Sequence, residues 1–152
     1  MQMSYRPDAG YLGPDSVTVD VIYGDGYSRK RHYEITVNPK PPPFEATRVA
    51  VAEQRARIGF MVNLDPDCSS TPFRSARLVE EPKHGTGTVE PGTGFTNFAK
   101  DNPRFECNKQ RSEGSVVWYQ AEAGYTGKDS LTVEVVYPDG RESSMRYSID
   151  VK

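Results

Sequence analysis

The chain has 152 residues, 36% hydrophobic and 26% charged, with a formal net charge of -2. That length holds one domain and part of a second, and the low apolar content suits thin two-layer packing. The balanced charge gives no electrostatic footprint for nucleic acid or an anionic membrane surface, and the 12 prolines and 13 glycines, scattered along the chain, exclude long helices.

Residues Met1 to Asp8 lack the apolar core of a secretion signal, and no apolar run reaches the roughly 20 residues of a membrane span. A cytosolic chain, or a mature or excised piece of an exported one, is expected, without membrane insertion. Ala9 to Ser16 reads Ala-Gly-Tyr-Leu-Gly-Pro-Asp-Ser. Gly10 and Gly13 permit a tight crossing, Tyr11 can plug a sandwich end, and Asp15 can accept backbone N–H groups ahead of a strand. Turn capping accounts for a lone carboxylate better than calcium binding does.

Val17, Val19, Val21 and Tyr23 alternate with Thr18, Asp20 and Ile22, so an extended strand has one apolar side. Arg31, Tyr33, Ile35 and Val37 alternate with His32, Glu34 and Thr36 in the same way. Gly24-Asp25-Gly26 between them carries hairpin turn chemistry. Arg29-Lys30-Arg31-His32 is the chain's one basic run, read as a solvated hairpin edge or a contact for an acidic partner. Pro39-Lys40-Pro41-Pro42-Pro43 then forms a stiff polyproline-type linker at residues 39–43. It separates a partial unit, residues 1–38 with about three strands, from a complete domain at residues 44–152; so few strands cannot bury an apolar face alone.

Beyond the linker, strands are expected at Arg48–Ala52, Ala56–Leu64, Ala76–Glu80, Thr86–Glu90 and Ser115–Tyr119. Asp65-Pro66-Asp67 reads as a turn. Gly85 to Gly94 is glycine-rich but lacks the Gly-Lys-Ser/Thr ending of a phosphate loop, so a flexible loop or hairpin is expected. His32 and His84 lie in different segments, with no nucleophile elbow and no metal-ligand spacing nearby. No catalytic residue, metal or cofactor is therefore assigned. Trp118 and Tyr119 must point to opposite sides of their strand, and with Phe95, Phe98 and Phe105 they are candidates either for the core or for a carbohydrate platform. Cys68 and Cys107 are one disulfide in an oxidising compartment, or two small buried hydrophobes in a reducing one.

The chain repeats itself. Tyr5–Asn38 aligns with Tyr119–Lys152 at a constant offset of 114 without a gap, and 16 of the 34 positions are identical. Gly124, Tyr125, Gly127 and Asp129 match Gly10, Tyr11, Gly13 and Asp15. Leu131, Val133, Val135 and Tyr137 form one inward row of the second copy, and Met145, Tyr147, Ile149 and Val151 another. Pro138-Asp139-Gly140 supplies its turn.

The pattern Tyr-x-Pro-x-Ala-Gly-Tyr-x-Gly-x-Asp-Ser, then Asp-Gly and a closing Tyr-x-Ile-x-Val, resembles the C-terminal half of bacterial cadherin-like or immunoglobulin-like tandem repeats of secreted and surface proteins. Glu81-Pro82-Lys83-His84-Gly85-Thr86-Gly87-Thr88-Val89 is similar to a strand start in the first half of such repeats. The resemblance implies an all-β, immunoglobulin-like antiparallel sandwich preceded by a half copy, with Cys68 and Cys107 paired. It further implies a non-catalytic structural or adhesive module outside the cell, at its surface or in a periplasm. Because Tyr5–Asn38 repeats Tyr119–Lys152, the half copy can pack on complementary strands of another chain, so the expected partner is itself or a neighbouring repeat, with Val17, Val19, Val21, Tyr33, Ile35 and Val37 as the self-association surface. The rival expectation is that upstream sequence completes the first domain. A module binding carbohydrate or cell-wall polymer is the alternative.

Overall fold

The computed structural model describes residues 3–152. They divide at the proline linker into two compact units, one ending at Pro41 and the other spanning Pro42–Lys152.

The first unit is a hairpin of β1 (Gly13–Ile22) and β2 (Ser28–Val37), paired antiparallel from Gly13 opposite Val37 to Ile22 opposite Ser28. Its turn closes where the Gly26 N–H donates to the Tyr23 carbonyl at 2.9 Å and Asp25 accepts the Tyr27 N–H at 3.0 Å. Gly26 has φ +85°, which explains the glycine. Two strands form here, not the three expected. In the second copy the third strand is Ser112–Ala121; at the repeat offset its counterpart would reach only to residue 7, and residues 3–12 hold no strand.

The second unit has seven strands: β3 (Phe44–Ala50), β4 (Ala56–Met61), β5 (Ser75–Glu80), β6 (Gly85–Gly94), β7 (Ser112–Ala121), β8 (Gly127–Val136) and β9 (Glu142–Val151). A 3-10 turn spans Phe105–Lys109. One sheet has the order β3-β9-β8-β5 and the other β4-β7-β6. Ile58, Val117 and Tyr119 from one sheet meet Leu131, Val133, Tyr147, Ile149 and Val151 from the other in a single core. The chain is thus an all-β sandwich, as the period-two alternation predicts.

Two features depart from expectation. The sandwich is not wholly antiparallel, because β3 runs parallel to β9. Nearly the whole domain separates these strands in sequence, so no tight turn forces them antiparallel. The glycine-rich segment is no loop: the strand expected at Thr86–Glu90 extends over all of Gly85–Gly94 as the edge strand β6, paired along its length with β7. Close packing demands its glycines: a Cβ on Gly87 would sit 2.9 Å from a Leu131 methyl, and one on Gly92 would sit 2.6 Å from a Val116 methyl.

Candidate functional site

The repeated hairpin occurs twice, flanked by further strands in the second unit and forming a two-stranded sheet by itself in the first. In the complete domain β8 is flanked by β5 and β9 by β3, while the sheet β4-β7-β6 packs on the inward rows. Leu131, Val133, Val135, Tyr147, Ile149 and Val151 are accordingly buried, while Tyr137 and Met145, nearer the turn, are half-buried. The matching residues of the first unit have no facing sheet within that unit. Val17, Val19, Val21, Ile35 and Val37 are only half-buried, and Tyr33 is 38% exposed where its counterpart Tyr147 is 3% exposed. The apolar rows are present in both copies; only the second has something to bury them against.

The crossing motif has the same local geometry in both. Gly10 and Gly124 have φ +79° and +77°, and Gly13 and Gly127 have φ +118° and +129°, values that L side chains rarely adopt. Each tyrosine hydroxyl then reaches across the second glycine to a carbonyl three residues on: Tyr11 donates to Pro14, and Tyr125 donates to Lys128 at 2.6 Å. Tyr125 also stacks on the imidazole of His84, with centroids 4.2 Å apart. Tyr11 stacks on no ring among the described residues and is 41% exposed.

The aspartates show what the bare copy lacks. Asp129 is buried and accepts four hydrogen bonds: the N–H groups of Lys83 and His84 at 3.0 Å each, that of Ser130 at 2.9 Å, and the Tyr119 hydroxyl at 2.9 Å. Desolvation pushes its carboxyl up, but the N–H groups of Lys83, Ser130 and His84 with the Tyr119 hydroxyl outweigh it and hold Asp129 below the usual carboxylate range. Tyr119 in turn is raised, first by burial and then by Asp129. Asp15 keeps the two donors belonging to its own copy, the Tyr5 hydroxyl at 2.5 Å and the Ser16 N–H at 2.8 Å. The Tyr5 hydrogen bond, with that of Ser16, lowers Asp15, and the same bond pushes Tyr5 up to about 12. The donors missing from Asp15 are those that Lys83 and His84 supply from the turn between β5 and β6.

Side chains beside Asp129 on β8 also reach β5. Thr132 donates to Glu80 at 2.6 Å, and Glu134, 3% exposed, pairs with Arg77 at 3.3 Å. Thr132 and Glu134 are both buried, although alternation alone places them in water. Neither β5 residue is marked by the repeat; its signal is indirect, in that β1 keeps Thr18 and an acid, Asp20, at the same positions.

Cys68 and Cys107 form a disulfide, Cα atoms 5.4 Å apart, tying the 65–71 turn to the 3-10 segment. Cys107 is fully buried, and Cys68 adopts φ +69°. Asp65 and Asp67 in that turn accept hydrogen bonds from Ser69, and Asp65 from Thr71. Among the described residues no group of three or more His, Cys, Asp or Glu is placed to hold a metal ion. His32 faces Thr18, its Nδ1 2.8 Å from the hydroxyl. Trp118 lies on the outer side of its strand, opposite Arg57 on β4 and Thr88 on β6, and the Arg55 guanidinium stands 4.4 Å over its ring. Glu90 in turn holds Arg55. Phe95 is exposed with Arg111 over it, whereas Phe98 and Phe105 are half-buried. A cleft of about 640 Å³ opens between the 70–76 segment, β6 and the start of β7.

No helix among the described residues is long and apolar enough to cross a membrane. The chain matches no known family profile and no curated protein in sequence. Fold and site together define an all-β sandwich and, before the proline linker, a separate two-stranded hairpin whose sequence repeats that of β8 and β9.

Proposed function

We propose that the chain is a non-catalytic structural or adhesive module of a secreted or surface repeat protein, related to cadherin-like and immunoglobulin-like tandem repeats, and that it joins to further copies or neighbouring repeats through its N-terminal hairpin. One observation carries this reading: most of the inward rows of the hairpin are buried against a facing sheet in the second unit, and the matching rows have no facing sheet within the first. An apolar strip whose two edges pair with no further strand among the described residues is a template for pairing with another chain. The disulfide supports an oxidising compartment, where such modules work. The carbohydrate alternative has less support, because the arginine stacked on Trp118 occupies a ring face that a sugar would need.

Light scattering on the full chain at two concentrations tests the reading. The mass should rise with concentration for the native sequence and stay monomeric for Val19→Lys, which puts a charge in the middle of the strip. A native chain that is monomeric at both concentrations overturns self-association.

A further inference from the structure

We infer that β1 is a socket for one kind of partner: an extended strand followed by a tight turn, with the chemistry of Ser75–Gly85, presented by another polypeptide. This rests on the proposal that the hairpin is a joining element, and it specifies what the hairpin joins. The second unit contains the joint already made. There β5 pairs antiparallel with β8, Ala76 opposite Val135 and Leu78 opposite Val133. Arg77 reaches Glu134, Glu80 takes the Thr132 hydroxyl, and the following turn aims the Lys83 and His84 N–H groups at Asp129.

Every β8 residue in that joint has its counterpart on β1. Val21 and Val19 stand for Val135 and Val133, Asp20 for Glu134, Thr18 for Thr132 and Asp15 for Asp129. The edge of β1 away from β2 carries no strand in its own sheet, and Asp15 is exposed with two donors where Asp129 has four. The charges agree as well: β1 holds two aspartates and no lysine or arginine, so an arginine at the place of Arg77 meets an acid. A partner needs a small or apolar residue at alternate positions, an arginine between them, and two successive free N–H groups in the turn. The Ser75–Gly85 segment of a second copy is already engaged on its own β8, so the occupant of this strand edge is an unengaged repeat strand from another polypeptide, while copies of this chain meet on the apolar face that carries Val19.

The test uses the full chain and a fluorescent synthetic peptide of residues 73–87, followed by anisotropy. Saturable one-to-one binding is expected, weakened at least about tenfold by Asp15→Ala and by Asp20→Arg. A peptide carrying Arg77→Asp should recover binding to the Asp20→Arg chain, a rescue that a misfolded variant would not show. Absence of saturation up to about 1 mM peptide, the weak end of specific recognition, overturns the inference. So does binding that ignores both substitutions. If the peptide fails while the native chain still associates and Val19→Lys does not, the hairpin joins chains by another pairing and only this inference falls. If neither associates, the broader proposal falls too.

Discussion

Replacing Asp129 with alanine is the sharpest perturbation the structure offers. The carboxylate ties three segments together: the turn before β6, the end of β7 through Tyr119, and the start of β8. Alanine leaves the buried Tyr119 hydroxyl and the Lys83 and His84 N–H groups without their acceptor. Each orphaned donor costs roughly 1–3 kcal/mol when water cannot reach it. Part of that is offset, because the turn is half open and the burial penalty of the carboxylate disappears, leaving a net loss of about 3–5 kcal/mol. For a domain of this size, at about 4 °C per kcal/mol, the melting temperature of the second unit should fall by about 12–20 °C. Asp15→Ala, at an exposed site with two donors, should leave that transition within about 2 °C. Calorimetry on the two full-length variants reads both. A shift under about 4 °C for Asp129→Ala, or equal shifts for the two, would refute the claim that this aspartate joins the halves of the sandwich.

Acid should reveal the same group. Asp129 is held below its ordinary value in the fold, so its stabilisation is fully present above the unfolded carboxyl pKa of about 3.9 and is lost as pH falls through the folded value. Chemical denaturation between pH 7 and pH 2 should show a steeper acid loss for the native chain than for Asp129→Asn; parallel curves would contradict this. Reducing Cys68–Cys107, 39 residues apart in sequence, should cost about 4 kcal/mol by loop entropy. An unchanged melting temperature in reductant would count against that. Gly85→Ala should destabilise by about 1–3 kcal/mol, because the added methyl meets the Gln120 backbone carbonyl. Gly87→Ala should cost less, since the obstacles are the ends of Leu131 and Leu78 side chains; urea midpoints in the reverse order would be inconsistent.

The elements that alternate cleanly are legible in the sequence. Leu131, Val133, Ile149 and Val151 point inward as their period demands, and the two Asp-Gly turns lie between the strands they were expected to join. The gap-free repeat also marks Asp15 and Asp129 as groups that accept backbone N–H bonds, but each is the third residue of its strand and not ahead of it. What the pattern concealed depends on neighbours distant in sequence. Glycines in β6 look like a loop until Val116, Leu78 and Leu131 are seen pressing on them. Thr132 and Glu134 look solvent-facing by period, yet both are buried and reach Glu80 and Arg77 on β5. The parallel β3–β9 pair joins residues about a hundred positions apart and leaves no local signal. Tyr33 illustrates the opposite failure: a sound period assigns it a buried side, but burial requires a second layer that the first unit does not itself provide.

Native-state hydrogen exchange on the full chain compares the two hairpins residue by residue. At low concentration, strand amides of β8 and β9 should exchange only through opening of the whole second unit. Those of β1 and β2 should exchange far faster and slow down as the concentration rises. Equal protection of the two hairpins in dilute solution would contradict the claim that the first is a joint awaiting its other half.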